Sequence, residues 1–237
     1  MSAEGERNAR LSGRFALDAA KGDYPVVGDW LACSQQDGSD DLIIHTLLPR
    51  KSVFTRRAVS GGGVQFIAAN IDVVFLVAAL NADLNLRRLE RYLVAARESR
   101  AAPVIVLTKS DLAEDVETTV REVEAISGGA PVVALSARTG AGLDGVAPWL
   151  KPGLTVALLG SSGAGKSTLL NALAGTELMD TGAIRESDDR GGQQHLQAAN
   201  GGRLVLGRLR EVTRLERHGG LVQMLARLGG LQERQAV

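Results

Sequence analysis

Gly160-Ser161-Ser162-Gly163-Ala164-Gly165-Lys166-Ser167 satisfies the pattern GxxxxGK[ST] at every fixed position. The apolar run Leu154–Leu159 before it predicts a strand and Thr168–Ala174 after it predicts a helix, which is the setting a phosphate-binding loop requires. Glycines let such a loop turn its backbone N–H groups inward around phosphates, with the positive end of the helix behind them. In that arrangement Gly160, Ser161, Ser162, Gly163, Ala164, Gly165, Lys166, Ser167 and Thr168 hold the phosphates. Lys166 reaches the β- and γ-phosphates, and the Ser167 hydroxyl ligates Mg²⁺.

Outward from this loop the chain alternates strand and helix signals. Ile71–Ala79 reads as a buried strand, and Asn85–Arg100 places Leu86, Leu89, Leu93 and Ala96 on one helical face. Val104–Leu107 is a strand, Leu112–Ser127 a helix and Pro131–Leu135 a strand. Strands separated by helices of this length predict a parallel sheet covered on both faces. Residues 1–60 differ: short apolar runs lie between closely spaced turns at Lys21-Gly22-Asp23, Val27-Gly28-Asp29 and Gln36-Asp37-Gly38-Ser39. That pattern fits a small β-barrel or open sheet, or equally a plain β appendage. Ser60-Gly61-Gly62-Gly63 is the expected linker.

The base is read elsewhere. Thr108-Lys109-Ser110-Asp111 ends the strand at Val104–Leu107 and has the form of the [NT]KxD guanine reader. A carboxylate at Asp111 accepts from guanine N1–H and the exocyclic amine, a donor pair adenine does not present, while the Lys109 stem covers a face of the base. Taken alone, the same four residues also describe a solvated loop with an N-cap Asp. Ser136 and Ala137, at the end of the next strand, resemble the SA[KR] loop that supports guanine through backbone N–H groups. In ordinary GTPases the phosphate loop precedes the guanine reader. Here Lys109 and Ser136 precede Gly160, so the order is circularly permuted.

That order, behind a β-rich segment containing YPVVGDW (24–30) and LLPRKSVFTRR (47–57), resembles the ribosome small-subunit-dependent GTPase A (RsgA) family. The resemblance covers about residues 10–190, with VQFIAANIDVVFLV (64–77) and TGAIRE (181–186) inside it. It implies an OB-fold, a circularly permuted P-loop GTPase domain and a zinc-binding C-terminal tail; for this chain the expectation is an α/β fold with the GTPase domain at 61–210 behind a partial OB-fold-like module at 1–60, and a divergent basic tail at 211–237. It further implies GTP hydrolysis stimulated by the small ribosomal subunit, and a role in late maturation of that subunit. Mg²⁺ with GTP or GDP is the expected ligand, and the small subunit with its rRNA the expected partner.

Beyond Arg190 the resemblance stops. Gly191-Gly192-Gln193-Gln194-His195 stands where the family has a Thr-rich switch segment, and strand-like Arg203–Leu206 runs into Gly207-Arg208-Leu209-Arg210 rather than DTPG. These are the positions that sense the γ-phosphate and hold the metal, so no residue is assigned as catalytic. The tail holds His218 and no cysteine, and zinc is not expected. Leu221, Leu225 and Leu228 sit at helical spacing in a segment, 203–237, whose arginines make either an RNA-contacting arm or a solvated tail. The N-terminus also reads as short for the family's OB-fold. The expectations are therefore a GTPase of late small-subunit maturation, a nucleotide-binding but non-hydrolysing ribosome or RNA binder, or a nonfunctional truncated fragment. Arg50, Lys51, Arg56 and Arg57 around Phe54 form a candidate RNA surface, or else a solvated basic face. His45, His195 and His218 lack ligand spacing, Asp188 and Asp189 read as a solvated pair, and Cys33 as a small buried residue.

Composition sets the limits. With 237 residues, 45% hydrophobic and 23% charged, the chain has enough apolar content for a core, which excludes disordered and collagenous classes. Val73–Leu80 is far short of the roughly 20 residues of a membrane span. No secretory signal pattern opens the chain, and one cysteine makes neither an internal disulfide nor a multi-cysteine zinc site, so a cytoplasmic location is expected; a monomer is the expected state. The 27 basic and 27 acidic groups cancel, which argues against a general DNA-coating protein.

Overall fold

Short apolar runs between turn residues build the strands of the N-terminal part of the chain. The computed structural model describes residues 8–19, 24–35, 38, 41–57, 64–81, 84–175 and 195–200, with the backbone alone for Arg56, Arg57 and His195–Asn200. These residues belong to two units that divide between Asn70 and Ile71.

In the first unit β1 (Ala9–Leu11) leads into α1 (Gly13–Asp18), where the Ser12 hydroxyl caps the helix by accepting from the Phe15 N–H at 3.1 Å. β2 (Leu31–Gln35) and β3 (Leu42–Leu47) pair antiparallel, β1 joins β3 in parallel, and the sheet runs β1-β3-β2. β4 (Val53–Arg57) pairs antiparallel with β5 (Val64–Ala69). The segment past the expected linker therefore closes a hairpin with the basic stretch before it, and residues 58–63 lie outside the described residues. Asn70 ends the unit at φ 57, a left-handed conformation that asparagine tolerates. Its side chain accepts from the Lys51 N–H and donates to the Gly28 carbonyl, both at 2.9 Å, tying two loops together. Cys33, expected to be buried, is exposed, because it occupies an edge strand of a small sheet. His45 is exposed too, with Nε2 2.8 Å from the Ser34 hydroxyl.

The second unit is a five-stranded sheet in the order β10-β9-β6-β7-β8. Its strands are β6 (Val73–Ala79), β7 (Ala102–Thr108), β8 (Val132–Ala134), β9 (Thr155–Gly160) and β10 (His195–Asn200). The first four are parallel, and β10 runs antiparallel to β9. β6 has no polar residue, as a strand at the centre of a parallel sheet requires. Val73, Phe75, Val77, Val104, Val106, Val156 and Leu158 cluster with Val146 and Leu169, so this face is covered by the 3-10 segment Leu143–Trp149 and by α4 (Lys166–Ala174). Phe75 meets Trp149 edge to face at 6.5 Å. The alternate residues Val74, Leu76, Ile105 and Leu107 are also fully buried, on the face where α2 (Leu86–Glu98) packs on β6 and β7 and touches α3 (Val116–Ser127). Each such side chain contributes about 1.5–3 kcal/mol on burial.

Asn85 caps α2 by accepting from the Arg88 N–H at 3.0 Å. α3 starts later than expected, because Ser110–Leu112 forms a 3-10 turn and Asp115 then caps the helix at Thr118 N–H. α4 begins at Lys166, two residues before the expected start. The strand signal at 203–206 falls outside the described residues, whereas His195, the last residue of the 191–195 stretch read at the switch position, begins the edge strand β10. No helix among the described residues is long and apolar enough to cross a membrane.

The chain moves outward from β6 to β7 to β8 and then returns to lay β9 on the other side of β6. Between β6 and β9 the connections leave in opposite senses, which opens a crevice at the carboxyl ends of the strands.

Candidate nucleotide-binding site

Every element of the site sits at that carboxyl edge. β9 ends at Gly160, where an added Cβ would lie 2.3 Å from the Val77 carbonyl oxygen, so only glycine lets β9 approach β6 this closely before turning. Gly165 adopts φ 88 and caps α4 from the left-handed region, which side chains disfavour. Lys166 then opens the helix with its side chain folded back. Its ammonium donates to the carbonyls of Gly160 at 3.0 Å and Ser161 at 2.8 Å. Burial alone lowers its pKa to about 8, since a desolvated ammonium gives up its proton more easily. Ser167 follows with a half-buried side chain, and Thr168 is exposed. A hard hydroxyl oxygen beside a phosphate cradle suits Mg²⁺, which takes its remaining ligands from phosphate and water. Among the described residues no cluster of histidine, cysteine and carboxylate side chains makes a competing metal site.

The guanine-reader residues occupy the end of β7. Thr108, expected among the groups holding the base, is 1% exposed and donates its hydroxyl to the Ala164 carbonyl at 2.6 Å. Its side chain is thus a tie to the phosphate loop. Lys109 sits at φ 60, a left-handed residue that turns the chain into the 3-10 segment holding Ser110 and Asp111. The Ser136 hydroxyl bonded to Asp111 holds that carboxyl below its ordinary value; backbone N–H and the nearby Arg138 add to this, against a smaller opposing effect of desolvation. Ser136 is itself buried and fixed, accepting from the Thr139 N–H at 3.2 Å and donating its own N–H to the Ala141 carbonyl at 2.8 Å. Ala137 is half-buried on the core side of the same loop. Arg138, at 3.6 Å from the Asp111 carboxylate, was missed as a site residue although it stands at the [KR] position of the loop pattern.

Of the basic cluster of the first unit, Arg50 is engaged within the fold. Arg50 grips Asp29 through Nε and a terminal nitrogen, both at 2.7 Å, and also donates to the Tyr24 carbonyl at 2.9 Å. Its guanidinium lies 5.2 Å from the centre of the Phe66 ring. Arg50 therefore joins the two sequence stretches 24–30 and 47–57, and Phe54 is buried at 6% exposure rather than offered to a base. Lys51 is exposed, and the side chains of Arg56 and Arg57 lie outside the described residues.

A family model described as RsgA GTPase matches residues 47–197. Among curated proteins, the small ribosomal subunit biogenesis GTPase RsgA of Opitutus terrae is 47% identical over 220 residues, which is 87% of this chain and 60% of that protein. RsgA 2 of Lactiplantibacillus plantarum is 47% identical over 188 residues, 79% of this chain and 53% of that protein. Among solved structures, YjeQ from Thermotoga maritima superposes with a TM-score of 0.58 at 32% identity, over 72% of this chain and 58% of that one. YloQ, titled a circularly permuted GTPase, gives 0.51 at 25% identity, over 70% of this chain and 55% of that one. The chain spans about half to three-fifths of the length of these relatives.

Proposed function

The chain belongs to the RsgA GTPase family, and from that premise we propose that it binds GTP and GDP with Mg²⁺ and acts as a GTPase in the late maturation of the small ribosomal subunit. The observation that carries the reading is the Thr108–Ala164 hydrogen bond, because it couples a guanine reader to a phosphate loop in permuted chain order. The base lies against Lys109 and Asp111, with Ser136 orienting the carboxylate and Ala137 supporting the base through its backbone. The backbone from Gly160 to Thr168 cradles the phosphates, and Lys166 exchanges its two carbonyl partners for phosphate oxygens. Ser167 is the residue that holds Mg²⁺, which when bound neutralises phosphate charge. The protein's share of the chemistry is positioning and charge stabilisation, since phosphoryl transfer asks little else of the side chains.

A second reading rests on Gly191-Gly192-Gln193-Gln194-His195 and on the missing DTPG: a binder that loads nucleotide but turns it over far more slowly than a complete family member. In either reading the protein works in the cytoplasm as a monomer, meeting rRNA through Lys51, Arg56 and Arg57. The test is guanine-nucleotide titration of the purified chain, followed by phosphate release with and without small subunits. Strong stimulation, abolished by Lys166→Ala, supports the GTPase. Binding without release selects the second reading, and absence of binding rejects both.

A further inference from the structure

The crevice between β6 and β9 has a wall that the nucleotide assignment leaves unexplained. It is lined by Val77–Ala79, by Ser161–Ala164 of the phosphate loop and, from α2, by Arg88, Leu89 and Tyr92. Arg88 is half-buried, and among the described residues its guanidinium has no hydrogen-bond or ion-pair partner, while its backbone N–H is given to the Asn85 side chain. Tyr92, one helical turn on, is 8% exposed, and its hydroxyl has no hydrogen-bond partner among the described residues. Burial pushes the Tyr92 phenol above its ordinary pKa, opposed more weakly by the positive charges of Arg88 and Arg91. A cation and a buried hydroxyl left without partners, facing the first half of a phosphate loop, form a site for an anion.

Which anion follows from the order of strands. The base is held at the ends of β7 and β8, where Asp111 and Ser136 stand, and the phosphate loop leaves β9, on the far side of β6. A nucleotide laid across this edge runs from β8 towards β9, so the phosphate that reaches Ser161–Ala164 is the one most distant from the base. Lys166 approaches from α4, on one face of the sheet, and Arg88 from α2, on the other.

We propose that Arg88 pairs with the γ-phosphate from the α2 side of the crevice and thereby makes this domain discriminate GTP from GDP. The inference rests on the guanine-nucleotide reading above and extends it to a residue outside the phosphate and base motifs. A guanidinium can bind a terminal phosphate through two parallel N–H bonds, whereas the diphosphate ends short of it.

The experiment compares the affinities of GDP and of a non-hydrolysable GTP analogue, by calorimetric titration with Mg²⁺, in the parent chain, Arg88→Ala, Arg88→Lys and Lys166→Ala. Arg88→Ala should weaken the GTP analogue by roughly tenfold to a hundredfold and leave GDP within about twofold. Arg88→Lys should recover part of the loss, because it keeps the charge without the fork. Lys166→Ala should weaken both nucleotides. Arg88→Ala lowering GDP and the GTP analogue equally, or neither, while the parent binds both and Lys166→Ala weakens both, would overturn the role of Arg88 and leave the guanine-nucleotide reading standing. A parent chain that binds neither nucleotide overturns that reading and this inference with it. Thermal unfolding of Arg88→Ala at the parent's midpoint, expected for a residue on the crevice wall, separates lost contact from lost fold.

Discussion

The Thr108 hydroxyl donates to the Ala164 carbonyl at 2.6 Å, so the strand that ends in the guanine reader is fastened to the phosphate loop 56 residues later. Gly165 stands beside it, where an added Cβ would crowd the same hydroxyl oxygen at 3.2 Å. The proposed base and phosphate sites therefore share one fixed spacing, which is what recognition of a nucleotide as a whole demands. Thr108→Val keeps the shape and removes the donor, leaving a buried carbonyl without it. A loss of about 1–3 kcal/mol in stability is expected. GTP and GDP should weaken together, because the tie touches neither the base nor the γ-phosphate. Denaturant unfolding and paired titrations check this, and unchanged values in both would show that the bond is incidental.

Lys166 carries the next prediction. Lys166→Ala deletes a charge-assisted contact of roughly 1.5–3 kcal/mol, so nucleotide affinity should fall by about one to two decades. Its pH signature is separate. The nucleotide-free native state releases this proton near pH 8, because burial lowers the pKa from 10.5 to about 8, while the unfolded chain holds it to the ordinary value. Between those values the unfolded chain binds more protons, so the stability contributed by this group rises with pH through that window. Below pH 8 the buried charge is at its most costly. Relative to Lys166→Met, the parent should gain roughly 3 kcal/mol between pH 8 and pH 10.5. Parallel stability curves for the two proteins would contradict the burial of a charged ammonium.

Asp111 and Ser136 predict base choice. Asp111→Asn replaces an acceptor-only carboxylate with an amide able to donate to a xanthine carbonyl, so preference for GTP over XTP should fall by about tenfold or more. Ser136→Ala removes the hydrogen bond that most depresses the Asp111 pKa, and that pKa should rise toward its ordinary value with guanine affinity falling. Competition by ATP as strong as by GTP in the parent would reduce Thr108–Asp111 to a plain loop.

What sequence made legible was the local part of this site. The phosphate loop was readable because strand, glycines, lysine and helix are contiguous, and β6 because a strand without polar residues has one place to go in a sheet. The role of Thr108 was not, since its partner comes from the loop that follows a strand on the other side of β6. The pairing of β4 with β5 was hidden by the glycines at 61–63, which read as a boundary, although the strands before and after them pair antiparallel. Cys33 was misread because composition reports how often cysteine is buried, while its exposure here depends on which sheet its strand edges.

Arg50 shows the same limit and carries the last prediction. Four basic residues near an aromatic suit a nucleic-acid surface by composition, yet Arg50 is paired with Asp29, whose side chain is 1% exposed. Asp29 also accepts from the Val26 N–H at 2.8 Å, so the carboxylate organises the loop that Arg50 closes. Removing the guanidinium strands a buried charge, and Arg50→Ala should cost about 3–5 kcal/mol. Arg50→Lys should recover little of this, because an ammonium cannot reproduce the two-point grip. Lys51→Ala, at an exposed position, should leave stability within about 0.5 kcal/mol. The paired change Arg56→Glu and Arg57→Glu should instead weaken co-sedimentation with small subunits and flatten its salt dependence. If Arg50→Ala unfolds at the parent's midpoint but loses small-subunit binding, Arg50 is an RNA contact after all and the ion pair with Asp29 is dispensable.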